Sequence, residues 1–455
     1  MEPLKNSHRT KRLVGVSLVL LGAAIFMIAG FELARHSTNG SCDFGPVYYP
    51  SRFLVQQQDP YINIPARFVD LKAHGYLDPN ATTPADLFYL PCVYPPTALF
   101  VAAPLALLHW SSANFIWMTI SAASLVTGAL LIWTLAADFA PLLAGGLISF
   151  ILINSITVLF EANAACLAVG LCAVAVALFL KDRLPALAII CLAVSLCLKP
   201  HDAGLVWLFL LFSGGVLRAR ALQTLFAVAL LAAPAVLWVS HVSPNWPQKM
   251  SANISNLSAL GGINDPGPTT YTNHVTNIAV NLQTIFAVLL NRPSFYNAAT
   301  YIVCTLLLIC LVWVTFRTRR TVAHTYLGLA AVSALSMLPV YHRHHDARLL
   351  LLAVPACAVL WAERYFAGRI GILIAFLAIA LTGDIPRAIL ENLEAGHRFA
   401  ASDLGSKVQM IVFNRPAALA LLIMTLFFLW LYTRPVRQTG HQDPEELEMG
   451  VVQLG

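Results

Sequence analysis

The sequence predicts an all-α protein threaded repeatedly through a membrane. Three observations carry this. Of the 455 residues 58% are hydrophobic and only 11% charged, whereas a soluble domain carries about 25% charged residues. Apolar runs close to the ~20 residues that span a bilayer recur along the chain. The 28 Lys and Arg sit mostly in short connections between those runs, which is how a membrane protein marks its cytoplasmic side. The net charge of +6 therefore sets orientation, and no basic, aromatic-interleaved stripe points to nucleic acid.

Taken in order, 1–12 is a basic cytoplasmic N-terminus and 13–34 the first span. Its apolar part is too long for a signal peptide, and no clean small-residue cleavage site follows. Residues 35–95 form an outer loop holding Asp43, Asp59, Asp70, Asp78 and Asp86 beside few bases. Within it, 48–58 and 65–76 have the amphipathic spacing of helices that lie on a membrane surface. After Tyr94-Pro95-Pro96 comes a transmembrane core, 96–240, with spans at 97–110, 113–136, 162–180, 185–198, 202–217 and 221–240.

Between them, 141–160 is predicted to enter the membrane and turn back. A full crossing there would carry the bases around Lys181, Arg183, Arg218, Arg220, Arg317, Arg319 and Arg320 to the outside. Broken backbone at membrane depth needs protein or a wet cavity around it, which puts Glu161 and Asn163 beside a cavity. A second outer loop, 241–297, contains a surface helix expected at 277–290. The C-terminal part, 298–433, has spans at 298–316, 322–340, 349–363, 369–384 and 414–433, with a third outer segment at 385–412. A polar, acidic tail, 434–455, has the composition of a disordered cytoplasmic end. The expected total is about twelve spans with both ends inside. No inverted repeat of the transporter kind is visible.

The most polar stretch at a membrane boundary is SCDFGPVYYPSRFLVQQQDPY, residues 41–61. Asp43 lies just beyond the first span. It is either a solvated loop acid or a general base at the interface, where partial desolvation raises a carboxyl pKa and makes a better base. Asp59, in an Asp-Pro-Tyr turn with Tyr61, fits a structural role more readily. Lys199, in LKPHDAG with His201, is either a lysine snorkelling to the interface or a partner for phosphate.

The stretch YHRHHDAR, 341–348, places His342, Arg343, His344, His345 and Arg348 on the outer side, where bases are disfavoured. An arginine clamping a phosphate, with a histidine bonded to it, explains them. Three histidines and an aspartate there could also bind a metal, although no spacing matches a standard motif, and no cofactor is expected. Glu161 and Asn163, in FEANAACLAVG, either satisfy each other or line a substrate cavity with Asp59, Tyr61, Tyr94 and His201. Seven of the nine cysteines lie inside apolar runs as small hydrophobes. Cys42 and Cys92 share the outer loop and either form a disulfide, if it faces an oxidising compartment, or remain thiols.

In this order the pieces resemble glycosyltransferase family 87, of the GT-C group of integral membrane enzymes. The resemblance covers roughly residues 13–365. It rests on Asp43 after the first span, QDPY ending at Tyr61, VYPPTALFVAAPLALL, the FEAN break, LKPHDAG and the histidine cluster. FEAN departs from the Gly-Gln-x-Asn break expected of the family, so Asn163 is matched and Glu161 is not.

The resemblance implies a GT-C fold that moves a hexose, often mannose, from a polyprenyl-phosphate donor to a lipid or glycan hydroxyl. It implies inversion, on the outer face of the cell membrane, with Asp43 as base. Lys199 and the 342–348 cluster form the phosphate side, and no divalent metal takes part. Two alternatives stand beside it. One is a pentosyltransferase using a decaprenyl-phosphate-arabinose type of donor. The other, from a different class, is a lipid or solute transporter, which needs polar residues at the midplane of several spans. Neither the sugar, the acceptor nor the oligomeric state is written in the sequence.

Overall fold

The computed structural model describes residues 2–36, 41–62, 72–73, 91–267, 279–318, 321–385, 389 and 403–434. Nearly all of the expected helix 65–76, together with Asp70, Asp78 and Asp86, most of 385–412 and the tail from 435 lie outside the described residues. Among the described residues the chain is helical, with one isolated bridge, between Ala279 and Arg343, as its only extended pairing. Among the described residues four helices are long and apolar enough to cross a membrane alone, and a bent pair near the C-terminus makes a fifth if it counts as one span. Large apolar side chains such as Phe226, Leu230 and Leu306 point outward from them. This is an all-α membrane protein.

Helix α1 (Glu2–His36) leads to a turn at 41–44 and then α2 (Gly45–Val55). Every residue of α2 from Gly45 to Leu54 is buried, which corrects the surface-lying helix expected at 48–58. The reason is aromatic. Phe44 stacks on Trp117 at 5.1 Å and Tyr49 on Trp110 at 5.2 Å, while Arg52 donates to the Ala106 carbonyl at 2.7 Å. Its polar side is thus turned onto protein instead of water.

The segment 97–110 does not cross either. Helix α3 (Pro96–Ala102) and the 3-10 turn Leu105–Leu107 bend at Pro104. Thr97 donates to the Cys197 carbonyl and Tyr48 to the Leu108 carbonyl, both at 2.7 Å, so the entry and exit of this segment lie at the same end of the bundle. Each arm is too short to span.

The opposite correction applies to 141–160. Helices α5 (Pro141–Ile153) and α6 (Ile156–Phe160) are broken at Asn154-Ser155 as expected, yet the chain does not turn back. After α4 (Trp110–Ala136), they run beside α1 in the same direction: Gly15 meets Pro141, Gly22 meets Ser149 and Gly30 meets Leu159. These glycines let the backbones touch, as small residues do between membrane helices. Arg12 pairs with Asp138 at 3.1 Å at one end, and the Ser41 amide donates to the Phe160 carbonyl at 2.8 Å at the other. Helix α7 (Ala164–Leu180) then returns beside α4, with Gly170 against Ser124 and Leu125. The two departures offset each other. One traverse of the bundle is lost at 97–110 and one gained at 141–160, so Lys181-Asp182-Arg183 stays at the N-terminal end, where Asp182 pairs with Arg220.

The remaining helices alternate in short turns: α8 (Pro185–Leu198), α9 (Pro200–Ser213) and α10 (Gly215–Val242). Gly214 and Gly215 both have positive φ (74° and 52°), which only glycine adopts freely. Between 241 and 297, α11 (Trp246–Ser258) has no buried residue and lies on the surface, whereas α12 (Gln283–Leu289) is shorter than the surface helix expected at 277–290 and largely buried, which corrects that expectation. Helices α13 (Pro293–Arg317) and α14 (Val322–Leu335) lead to the 341–345 turn and the 3-10 helix Asp346–Ala353. Then come α15 (Val354–Glu363), α16 (Phe366–Leu381), α17 (Leu404–Asn414) and α18 (Pro416–Tyr432), the last two bent by 80°. Four turns meet at the end of the bundle away from Arg12: α1–α2, α6–α7, α8–α9 and the stretch after α14.

Candidate active site

Two of these turns hold carboxylates against each other. The Asp43 amide donates to the Glu161 carbonyl at 2.9 Å, beside the Ser41–Phe160 bond. Both turns use non-glycine residues at positive φ, Ser41 at 61° and Ala162 at 54°, a conformation that costs about 1–2 kcal/mol per residue. Trp117 Nε1 offsets part of this by donating to the Ala162 carbonyl at 2.9 Å. Backbone strain retained by surrounding bonds is typical of functional turns.

Asn163 caps α7. Its Oδ1 accepts from the Ala165 amide at 2.8 Å, and its Nδ2 donates to Asp43 Oδ2 at 2.6 Å. The cap fixes which end of the amide faces the acid, so Asp43 meets a donor. Asp43 is 5% exposed. Burial pushes its carboxyl pKa up first, and the neighbouring Glu161 carboxylate pushes it further; Arg343, His345 and the Asn163 bond oppose this. Glu161 Oε2 lies 2.7 Å from His345 Nε2. The Arg343 guanidinium, half-buried, is held by its Nε on the Tyr341 hydroxyl and by the pull of Asp43 and Glu161.

A second cluster adjoins the first. Lys199 bonds to Asp346 and lies 3.7 Å from Asp202. Asp346 also accepts from the Arg343 amide at 2.9 Å. His201 and His342 flank Asp202, at 3.5 and 3.4 Å. Tyr94 is within electrostatic reach of Lys199 and Asp346 in one cluster and of Asp43 in the other. Tyr61 supports it by donating to the Tyr94 carbonyl at 3.0 Å.

The structure thus brings Asp43, Glu161, Asn163, Tyr94, Lys199, His201, His342, Arg343 and His345, all singled out from the sequence, into one region. Two expectations from the sequence need correction, Arg348 and His344 on a phosphate side, and two alternatives left open, at Asp59 and at Cys42 with Cys92, are decided. Arg348 faces away from any phosphate: its guanidinium donates to the carbonyls of Asn154, Thr382 and His344 and to the Ser155 hydroxyl. It satisfies the α5–α6 break. His344 points to Thr157 Oγ1, 3.1 Å away, and Asp384, 3.6 Å away. Asp59 takes the Tyr61 amide and pairs with Lys249 at the surface, a structural turn. Cys42 and Cys92 are free thiols in separate surroundings, Cys42 beside Glu161 and Cys92 packed with Leu54, Tyr61, Leu99 and Val239.

Two residues were not singled out from the sequence. Asp202 had a signal, an acid three residues after Lys199 in an otherwise apolar run. Asp384, which binds the Thr157 amide at 2.8 Å, had none, being an ordinary helix-end acid. No family model, characterised protein or solved structure matches the chain. The geometry therefore carries the functional argument. A buried carboxylate with a raised pKa, a fixed amide donor and a nearby guanidinium can accept a proton beside a developing anion.

Proposed function

We propose that this is a GT-C type glycosyltransferase of the cell membrane, transferring a hexose from a polyprenyl-phosphate donor to a lipid or glycan hydroxyl. The carrying observation is the Asp43–Asn163 pair, a desolvated carboxylate clamped within electrostatic reach of Arg343. The acceptor oxygen attacks the anomeric carbon, its proton passes to Asp43, and the bond from that carbon to the phosphate oxygen breaks with inversion. The departing phosphate carries its charge toward Arg343 and His345. Lys199 is already balanced by Asp346 and contributes less to that pull than its position alone implies.

In this reading the bundle crosses the membrane about twelve times. The helix breaks at Asn154 and Gly214 and the short α9, α14 and α16 count as spans or parts of spans. The Arg12, Lys181 and Arg220 end is cytoplasmic by the positive-inside rule, which puts Asp43 on the outer face.

The test is transfer from radiolabelled polyprenyl-phosphate-mannose in membranes carrying wild type or Asp43→Asn. Loss of transfer by a folded Asp43→Asn protein supports the assignment. Equal rates would remove Asp43 as base. For the topology, thiol labelling of Asp182→Cys is expected only from the cytoplasmic side; labelling from outside would reverse the orientation.

A further inference from the structure

We infer that His201, His342 and Asp202 form a binding site for a divalent transition-metal ion, zinc foremost, with Asp346 as a neighbouring carboxylate. One ligand atom from each of the four lies within 4.8 Å of the others. The tighter geometry is in the first three. Asp202 Oδ1 is 3.4 Å from His342 Nε2 and 3.5 Å from His201 Nε2. Ligands about 2.1 Å from a tetrahedral zinc lie about 3.4 Å from one another, so these two separations are edges of such a polyhedron.

The protonation pattern points the same way. His342 Nδ1 sits 3.0 Å from the Val340 carbonyl, an acceptor, so this nitrogen carries the proton. The Nε2 lone pair is thereby turned toward Asp202. A backbone carbonyl on the far nitrogen is the outer-shell arrangement that orients metal-bound imidazoles. His342 and Asp202 are fully buried, and neither His342 Nε2 nor either Asp202 oxygen makes a hydrogen bond among the described residues. A lone pair and a carboxylate oxygen facing each other out of water repel unless a proton or a metal ion lies between them, and 3.4 Å is longer than the ~2.7–2.9 Å of a charge-assisted hydrogen bond and matches two ligands of one ion.

Charge and access agree with this. The region holds one ammonium, Lys199, against two carboxylates, Asp202 and Asp346. Lys199 bonds to Asp346 and faces only Oδ2 of Asp202, so Oδ1 is left to the histidines. Two imidazoles and one carboxylate suit zinc and its first-row neighbours and leave an open position. His201, 39% exposed in its side chain, gives an ion a way in from the outer end. The expectation that no metal takes part came from the resemblance; the ligand set argues for one. The site stands whether or not the protein transfers sugar, because its test reads metal and not product.

The experiment is metal analysis and titration of the full chain purified in detergent. After chelator treatment and removal, zinc is added, unbound ion is dialysed away, and zinc per chain is measured by mass spectrometry. Cobalt is titrated in parallel for its visible absorption. The expected result is about one ion per chain with a tetrahedral cobalt spectrum. Asp202→Asn should lose both, and His201→Gln, at the half-exposed ligand, should weaken binding by at least about tenfold. Lys199→Met, which removes the nearby ammonium, should bind at least as tightly as wild type, and Asp59→Asn should match it. Wild-type protein that takes up neither ion, or a folded Asp202→Asn that binds as wild type does, overturns the site. Should Asp202→Asn fail to fold, the wild-type titration and His201→Gln still decide.

Discussion

The two ends of the bundle use the same kinds of side chain in opposite ways. At the N-terminal end Arg12 meets Asp138 and Arg220 meets Asp182, with side chains between 24% and 67% exposed. At the other end Asp43, Asn163, Lys199 and Asp346 are only 3–7% exposed. Charges in water are screened and nearly free to move, so the first set marks orientation and contributes little to shape. Charges out of water must be bonded, so the second set fixes the turns that carry it.

The sharpest way to test this contrast is at Asp43. Asp43→Asn is expected to lower transfer about 10²–10⁴-fold, the contribution of a general base, measured as product per folded enzyme. Stability should move the other way. The folded-state pKa of Asp43 is raised, so protonation favours the fold and the ionised carboxylate costs stability above that pKa. At neutral pH the asparagine variant should therefore melt no lower than wild type.

Next in size is Arg348→Ala. It removes a donor from three carbonyls, of which those of Asn154 and His344 keep a backbone amide each and that of Thr382 does not, at a cost of about 1–3 kcal/mol, seen as a fall in melting temperature or a loss of folded yield. Arg348→Lys should recover little, since one ammonium cannot reproduce the fork. A smaller effect is a shift in pH dependence. Transfer should fail on acidification at a higher pH than an ordinary carboxylate would give, because Asp43 must be ionised to accept a proton and its pKa is raised. Glu161→Gln removes one of the groups that raise it, so the acid limb should move to lower pH. At the other end, Arg12→Ala should change stability by less than about 1 kcal/mol. A larger loss there would erase the distinction between the two ends.

Much of the fold was legible because composition and apolar run length bear directly on membrane helices. The two misplaced segments share one cause. Run length was weighed without asking what its breaks do. Pro104 splits 97–110 into arms too short to span, while the break at Asn154 is healed by Arg348, nearly two hundred residues away in sequence. A contact that distant leaves no local trace. The site was legible in the same proportion. Asp43 and Asn163 stand out as polar groups among apolar ones, but nothing in YHRHHDAR distinguishes Arg343, whose charge reaches Asp43, from Arg348, which is bound to backbone. That division is made by the 3-10 turn beginning at Asp346.

The contact of α1 with α5 and α6 has a consequence for how the protein is made. The glycines at 15, 22 and 30 lie against residues 141–159, which are synthesised more than a hundred residues later. Until then α1 has a bare glycine groove facing lipid or the insertion machinery. A bulky side chain at Gly22 would keep the groove from closing, and the defect should appear during biogenesis, as degraded nascent chains, before any question of activity arises.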